Sequence, residues 1–186
     1  MSVQVVLDST KTSMTKAVEF CKQQIAKVRT GRASASLVDN VKADYYGSPT
    51  PLAQMASVSV PDARSIIIQP YDRSTLQTIE KAIQMADLGF NPQNDGNIIR
   101  INVPPLTEER RKEFVKLCKK YAEEGRVSIR NVRRDEIEVL RKGEKDKEFT
   151  EDERKSGEEK IQKITDDYIK EIDVIINKKE KELLDN

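Results

Sequence analysis

Residues 7–28, LDSTKTSMTKAVEFCKQQIAKV, place Leu7, Met14, Cys21 and Val28 at every seventh position, with Val18 and Ile25 interleaved at the three-four spacing. Lys11, Lys16, Lys22 and Lys27 fall between them. An apolar set recurring at this period lines one side of a helix and needs other helices to cover it. The stretch predicts an amphipathic helix of coiled-coil type. It should end near Arg29–Gly31, since glycine suits the position just past a helix terminus.

Two later stretches carry the same rhythm. Thr107 is a good N-cap, and Glu108 and Glu109 put negative charge where the helix dipole favours it. Phe114, Cys118, Tyr121, Gly125, Ser128, Val132 and Val139 follow at helical spacing, supplemented by Leu117, Ile129 and Leu140. Gly125 and Ser128 either admit a closely approaching neighbour or, for Gly125, loosen the helix by about 1 kcal/mol. The sequence leaves both readings open. Arg141–Phe149, charged and containing Gly143, reads as an exposed connection between antiparallel helices. Thr150, Glu151, Asp152 and Glu153 match the capping-box pattern and open a third helix, with Ile161, Ile164, Tyr168, Ile172 and Ile175 facing inward. Helices of roughly 30 residues are about 45 Å long, and three can bury their stripes against one another without a sheet.

Between the first helix and the other two the period changes. Val41–Tyr46 reads as strand, Gly47–Pro51 as a turn, Ala56–Val60 as strand, Pro61-Asp62 as a second turn and Ser65–Gln69 as strand. Ser74–Met85 is helical, stopped by Gly89 and Pro92, and Asn97–Val103 is strand again. Pro104-Pro105 ends this module because neither residue donates a ladder bond. The expected fold is α+β: a long antiparallel three-helix bundle, residues 1–30 and 105–186, with a small β/α/β domain inserted at 31–104. Gly31 on one link and Pro104 and Pro105 on the other are the candidate hinge.

Composition narrows the function. Charged residues are 35% of the chain and aromatics 5%, which favours long solvated helices, while 37% apolar content argues against disorder. The net charge of +1 rules out a whole-molecule positive field, so a nucleic-acid site must be a local patch. No window approaches the roughly 18 apolar residues of a membrane span, and a cytoplasmic monomer without membrane partners is expected. Cys21 and Cys118 lie on helical stripes without metal-ligand spacing and read as small core hydrophobes. With no histidine, the commonest general base and a favoured metal ligand are both missing. The Glu158-Glu159 and Asp166-Asp167 pairs read as solvated helix surface, and no glycine-rich phosphate cradle occurs. The expectation is a non-enzyme, with no catalytic residue, no cofactor and no metal.

One local patch stands out. Arg126, Arg130, Arg133 and Arg134 lie within nine acid-free positions and, at about 100° per residue, share one arc, with Arg141 on it further along. The apolar stripe, centred on Val132 and Tyr121, is expected well away from that arc. A guanidinium forks onto phosphate oxygens and stacks on bases, so an RNA backbone fits such a face. A salt-bridged face, with Glu123 and Glu138 as partners, fits the spacing equally well.

The residues Lys27-Val28-Arg29-Thr30-Gly31-Arg32-Ala33, Pro104-Pro105-Leu106-Thr107-Glu108-Glu109-Arg110-Arg111 and Val127-Ser128-Ile129-Arg130-Asn131-Val132-Arg133-Arg134-Asp135 resemble signatures of the ribosome recycling factor family. The resemblance runs the length of the chain in order. It implies an L-shaped protein, similar to transfer RNA in outline, with a hinge between its two domains. It further implies binding to the ribosome after termination. There, with elongation factor G and GTP hydrolysis by that partner, the family splits the ribosome into subunits and releases messenger RNA and deacylated tRNA. Carried onto this chain, the bundle contacts large-subunit ribosomal RNA near the intersubunit bridges through Arg29, Arg32, Arg130, Arg133 and Arg134, with Arg133 the foremost candidate. Arg126 joins them by geometry. The competing expectation is a coiled-coil adaptor or chaperone that binds protein partners.

Overall fold

A computed structural model describes residues 2–185, so the expected domain limits at residues 1 and 186 lie outside the described residues. The heptad stretch forms α1, Val3–Ala26, capped by Ser2, whose hydroxyl accepts the Val5 amide at 3.4 Å. Its buried side, Val6, Leu7, Thr10, Met14, Val18, Cys21 and Ile25, follows the predicted stripe. Thr10 donates its hydroxyl proton to the Val6 carbonyl at 2.8 Å, so this buried polar group is satisfied within its own helix.

Residues 30–107 make a compact unit of their own. A 3-10 turn at Ala35–Val38 leads into β1, Lys42–Tyr45, which pairs antiparallel with β2, Ser48–Pro51. The turn residues Tyr46 and Gly47 have φ of 49° and 85°, the left-handed geometry that matches the twist of a tight hairpin. The expected turn at 47–51 is therefore mostly strand. Prolines 49 and 51 are tolerated because a two-stranded ribbon is all edge, where a missing N–H need not break a ladder. A single turn of helix, α2, Leu52–Met55, is too short to leave a periodic signal.

The main sheet contains β3, Ala56–Asp62, and β4, Ser65–Pro70. A 3-10 turn, Arg73–Thr75, leads into α3, Leu76–Met85, and the chain returns through β5, Pro92–Asn94, and β6, Ile99–Asn102. The four strands are antiparallel in the order β3-β4-β6-β5. Pro61 and Asp62 continue β3 instead of turning, because a register shift between Ser59 and Asp62 absorbs the proline. Ile66 faces Ile101 and Ile68 faces Ile99 across the β4-β6 ladder, and these four pack with Ile79 and Ile83 of α3 in a fully buried core. β-branched side chains suit this pleated surface, and α3 covers it as the second layer.

The bundle is completed by α4, Glu108–Lys145, and α5, Glu151–Leu184, of 38 and 34 residues. α4 runs antiparallel to α1, since Ser9 bonds Glu136 while Cys21 reaches the Tyr121 carbonyl. The capping box opens α5: the Thr150 hydroxyl accepts the Glu153 amide at 3.2 Å, and the Glu153 carboxylate accepts the Thr150 amide at 2.7 Å. The inward residues of α5 are Ile161, Thr165, Ile172 and Ile176, with Ile164, Tyr168 and Ile175 half-buried beside them.

Two expectations are corrected here. The exposed connection is shorter than expected and begins at Asp146: α4 continues to Lys145, and both Gly143 and Phe149 are buried. The Phe149 ring lies where any Cβ on Gly143 would stand, so this glycine makes room for an aromatic plug instead of ending the helix. Ser128 is exposed and donates to the Glu124 carbonyl at 3.0 Å, so it does not line the stripe. Gly125 is the close-approach position, buried against α1 and α5.

Candidate nucleic-acid interface

The inward side of α4 runs through Cys118, Ala122, Gly125 and Ile129 and resumes at Leu140 and Gly143. Its centre is thus set by small residues, where the helices come closest, and Tyr121 and Val132 are only half-buried. At 100° per residue this turns the arginine arc towards α5. Arg126 and Arg133, seven residues apart, border the stripe instead of lying well away from it, while Arg130, Arg134 and Arg141 lie further out. The half-buried position of Arg126 and Arg133 gives each a partner on α5.

The face divides by partner. Arg126 donates Nε and Nη2 to Asp173 Oδ1 at 3.1 and 2.7 Å, and its Nη1 reaches Glu123 Oε2 at 3.3 Å. Arg130 donates to Glu123 Oε1 at 2.6 Å. Arg141 contacts Glu138 at 3.0 Å and Glu158 at 3.4 Å. In contrast, Arg133 Nη1 meets the amide oxygen of Gln162 at 3.3 Å, and Arg134 Nη2 meets the amide oxygen of Asn131 at 2.8 Å. Among the described residues no carboxylate lies within ion-pair distance of Arg133 or Arg134. The salt-bridged reading therefore holds at three arginines and fails at two.

Protonation follows from these contacts. The hydrogen bonds from Arg130 and then Arg126 hold the Glu123 carboxyl below its ordinary range. The bond to Asp173 pushes Arg126 up, outweighing its partial desolvation. A guanidinium already bonded to two carboxylates offers little field or donor capacity to a polyanion, whereas one held by a neutral amide keeps its whole charge. Arg133 and Arg134 are the two guanidinium groups on the arc that bond neutral amide oxygens and not carboxylates.

Arg29 is exposed just past α1, in the unit that contains the bundle. Arg32 is also exposed but belongs to the other unit, so the structure does not place it on the bundle with the rest. Gly31, at φ 76°, and Leu106 touch: a Cβ on Gly31 would stand 2.9 Å from Leu106 Cγ and 3.1 Å from the Leu106 amide nitrogen. Pro104 and Pro105 lie exposed in the irregular stretch before α4. Sequence reasoning missed Gln162 and Asp173. For Gln162 a usable signal existed, because in an antiparallel hairpin residues equally far from the turn face each other. Arg133 stands thirteen residues before the connection at 146–149, and Gln162 stands thirteen after it.

Burial raises the thiols of Cys21 and Cys118, which suits protonated core groups. Glu158 is engaged by Arg154 at 2.8 Å, and Asp166 accepts from Gln162 at 2.9 Å, so one member of each carboxylate pair is tied to a neighbour. Among the described residues no group of His, Cys, Asp or Glu could hold a metal ion, and no helix is long and apolar enough to cross a membrane.

A family model described as ribosome recycling factor matches residues 21–184. The ribosome-recycling factor of Bacillus licheniformis is 55% identical over 185 residues, covering 100% of both chains. A solution structure of a ribosome recycling factor is similar at a TM-score of 0.80 and 44% identity, covering 100% of this chain and 99% of that one. A structure of the T. thermophilus ribosome recycling factor, bound with E. coli elongation factor G to the E. coli post-termination complex, is similar at a TM-score of 0.66 and 46% identity, covering 99% and 100%.

Proposed function

The chain belongs to the ribosome recycling factor family, and from that premise we propose that its helical bundle grips large-subunit ribosomal RNA through Arg133 and Arg134. The family is a non-enzymatic translation factor, and this chain makes and breaks no covalent bond. It binds the post-termination ribosome in the cytoplasm. With elongation factor G and GTP it splits the ribosome into subunits, freeing messenger RNA and deacylated tRNA for another round of translation. The relative bound beside elongation factor G on a post-termination complex supports this assignment of partners.

In this reading residues 31–104 act as a separate domain that swings on Gly31, Pro104 and Pro105, while residues 1–30 and 105–186 stay docked on RNA. The independent core at 30–107 and the isoleucine cluster inside it support a body that can move as one piece. Arg29, Arg130 and Arg126 are secondary contacts, the last two already partly neutralised, and Arg32 contributes from the inserted domain. The long helices suit a stiff lever between the RNA grip and the GTPase.

One observation carries the reading: Arg133 and Arg134 face amide oxygens where their neighbours on the same arc face carboxylates. Co-sedimentation of the chain with isolated large subunits across a salt series tests it. Affinity should fall steeply as salt rises, and Arg133→Ala should weaken binding and subunit splitting with helicity intact. Binding that ignores both salt and Arg133 would instead favour a protein-binding adaptor.

A further inference from the structure

Gln162 stands at the centre of a three-residue chain. Its amide NH2 donates to Asp166 Oδ1 at 2.9 Å, and its amide oxygen accepts from Arg133 Nη1 at 3.3 Å. Asp166 can only accept, so it dictates which end of the amide faces it and leaves the oxygen for the arginine. The spacing within α5 puts residues 162 and 166 one turn apart on the same face. Asp166 thus meets the amide and not the guanidinium, and among the described residues one of the five N–H donors of Arg133 is occupied.

We infer that Gln162 is a positioning residue for the RNA grip: it orients Arg133 through a neutral contact and preserves both its charge and its free donors for a phosphate. The inference rests on the reading of Arg133 as an RNA anchor. It explains why α5 presents an amide here, whereas seven residues before the arginine, at Arg126, it presents the carboxylate of Asp173. Arg126 is locked as part of the bundle, and Arg133 is tethered yet available. Orientation matters because a free arginine side chain loses rotamer entropy on meeting phosphate, and a partner that holds it beforehand reduces that loss.

Three substitutions in the full chain separate charge from orientation, with isolated large ribosomal subunits as the probe. Arg133→Ala should weaken binding and lower the slope of log K against log salt by about 1, as loss of one phosphate contact requires. Gln162→Glu supplies an ion-pair partner at the same length, so it should reproduce both the weakened binding and the reduced slope. Gln162→Met removes the acceptor without adding charge. It should weaken binding by about three- to tenfold, the scale of one hydrogen bond, and leave the slope unchanged. In an Arg133→Ala background Gln162→Met should do nothing further. Circular dichroism and urea midpoints should stay close to the parent throughout, since Gln162 is exposed and Arg133, though half-buried, makes no ion pair among the described residues. If Arg133→Ala weakens binding while both Gln162 variants bind like the parent, the positioning role is overturned and the RNA anchor stands. If Arg133→Ala binds like the parent with the parent's slope, both fall.

Discussion

Gly125 of α4 and Cys21 of α1 approach so closely that a Cβ on the glycine would stand 2.9 Å from Cys21 Sγ, and equally close to Ile172 Cδ1 of α5. All three helices converge on a position that only a hydrogen atom fills. The contact fixes the register of the bundle at mid-height, and it sits one residue before Arg126, so it also sets the face that the arginines show.

Gly125→Ala measures that contact. The added methyl improves helix propensity by about 1 kcal/mol, but overpacking a close-packed interior costs about 1–3 kcal/mol. We expect a net loss of stability by urea denaturation, recovered only in part when Cys21→Ala is added, because Ile172 Cδ1 and the Cβ of residue 21 still crowd the new methyl at 2.9 and 3.0 Å. A gain in stability from Gly125→Ala alone would show that the helices do not meet as described.

Arg126 and Arg133 should separate cleanly. Arg126, with its side chain 25% exposed and bonded to Asp173, should cost about 0.5–1 kcal/mol of stability when replaced by alanine. Arg133→Ala should stay within about 0.5 kcal/mol of the parent, as surface changes usually do. Binding to large subunits should rank the other way. Denaturation and co-sedimentation on the same two proteins check the crossing, and parallel losses in both assays would refute it.

Stability should be flat around neutrality and fall at both extremes. Glu123 is held below the ordinary glutamate value of 4.5 by Arg130 and Arg126, and Glu108, Glu151, Asp72 and Asp95 are shifted the same way. A depressed carboxyl stabilises the fold above its unfolded pKa, and that contribution fades as pH drops through the folded value. The buried thiols are raised above 9.0, so their contribution is complete below that pH and fades as pH rises through the folded value. Urea midpoints across pH should show this plateau, and a midpoint that drifts strongly between about pH 6 and 8 would contradict it.

Gly31→Ala should loosen the start of the inserted unit. The left-handed φ of 76° costs an L residue about 1–2 kcal/mol, and the new Cβ would also press on Leu106, including its backbone nitrogen. Hydrogen exchange of the Ala33 amide, bonded to the Ala63 carbonyl at 2.8 Å, and of the Val103 amide, bonded to the Arg64 carbonyl at 2.7 Å, should accelerate. Adding Leu106→Ala should restore protection only in part, because the backbone penalty remains.

The parts of the fold that repeat were readable in the residues. Leu7, Met14, Cys21 and Val28 announced α1, and Thr150 with Glu153 announced the start of α5, because periodicity and capping are local properties of a sequence. Three features were not local. The β2 strand carries two prolines that read as a turn, and α2 is shorter than any period. Gly143 looked like a breaker among charges because its partner, Phe149, lies beyond the end of the helix. At the arginine face the spacing placed all the guanidinium groups correctly on one arc, yet left phosphate and carboxylate partners equally plausible. What distinguished them was the pairing of α4 with α5, a relation between segments that no single stretch contains.

The split bundle has a consequence for how the chain is made. α1 emerges well before its partners, since the helices that cover Val6, Leu7, Met14, Val18 and Ile25 lie beyond residue 107. At about 5–20 residues per second, the intervening stretch keeps that greasy stripe waiting for several seconds during synthesis. The inserted unit has its own core and can close in the meantime. The stripe of α1 is therefore the part of the bundle left open longest, and a chaperone or the ribosome's own surface has a defined interval in which to shield that helix before its companions arrive.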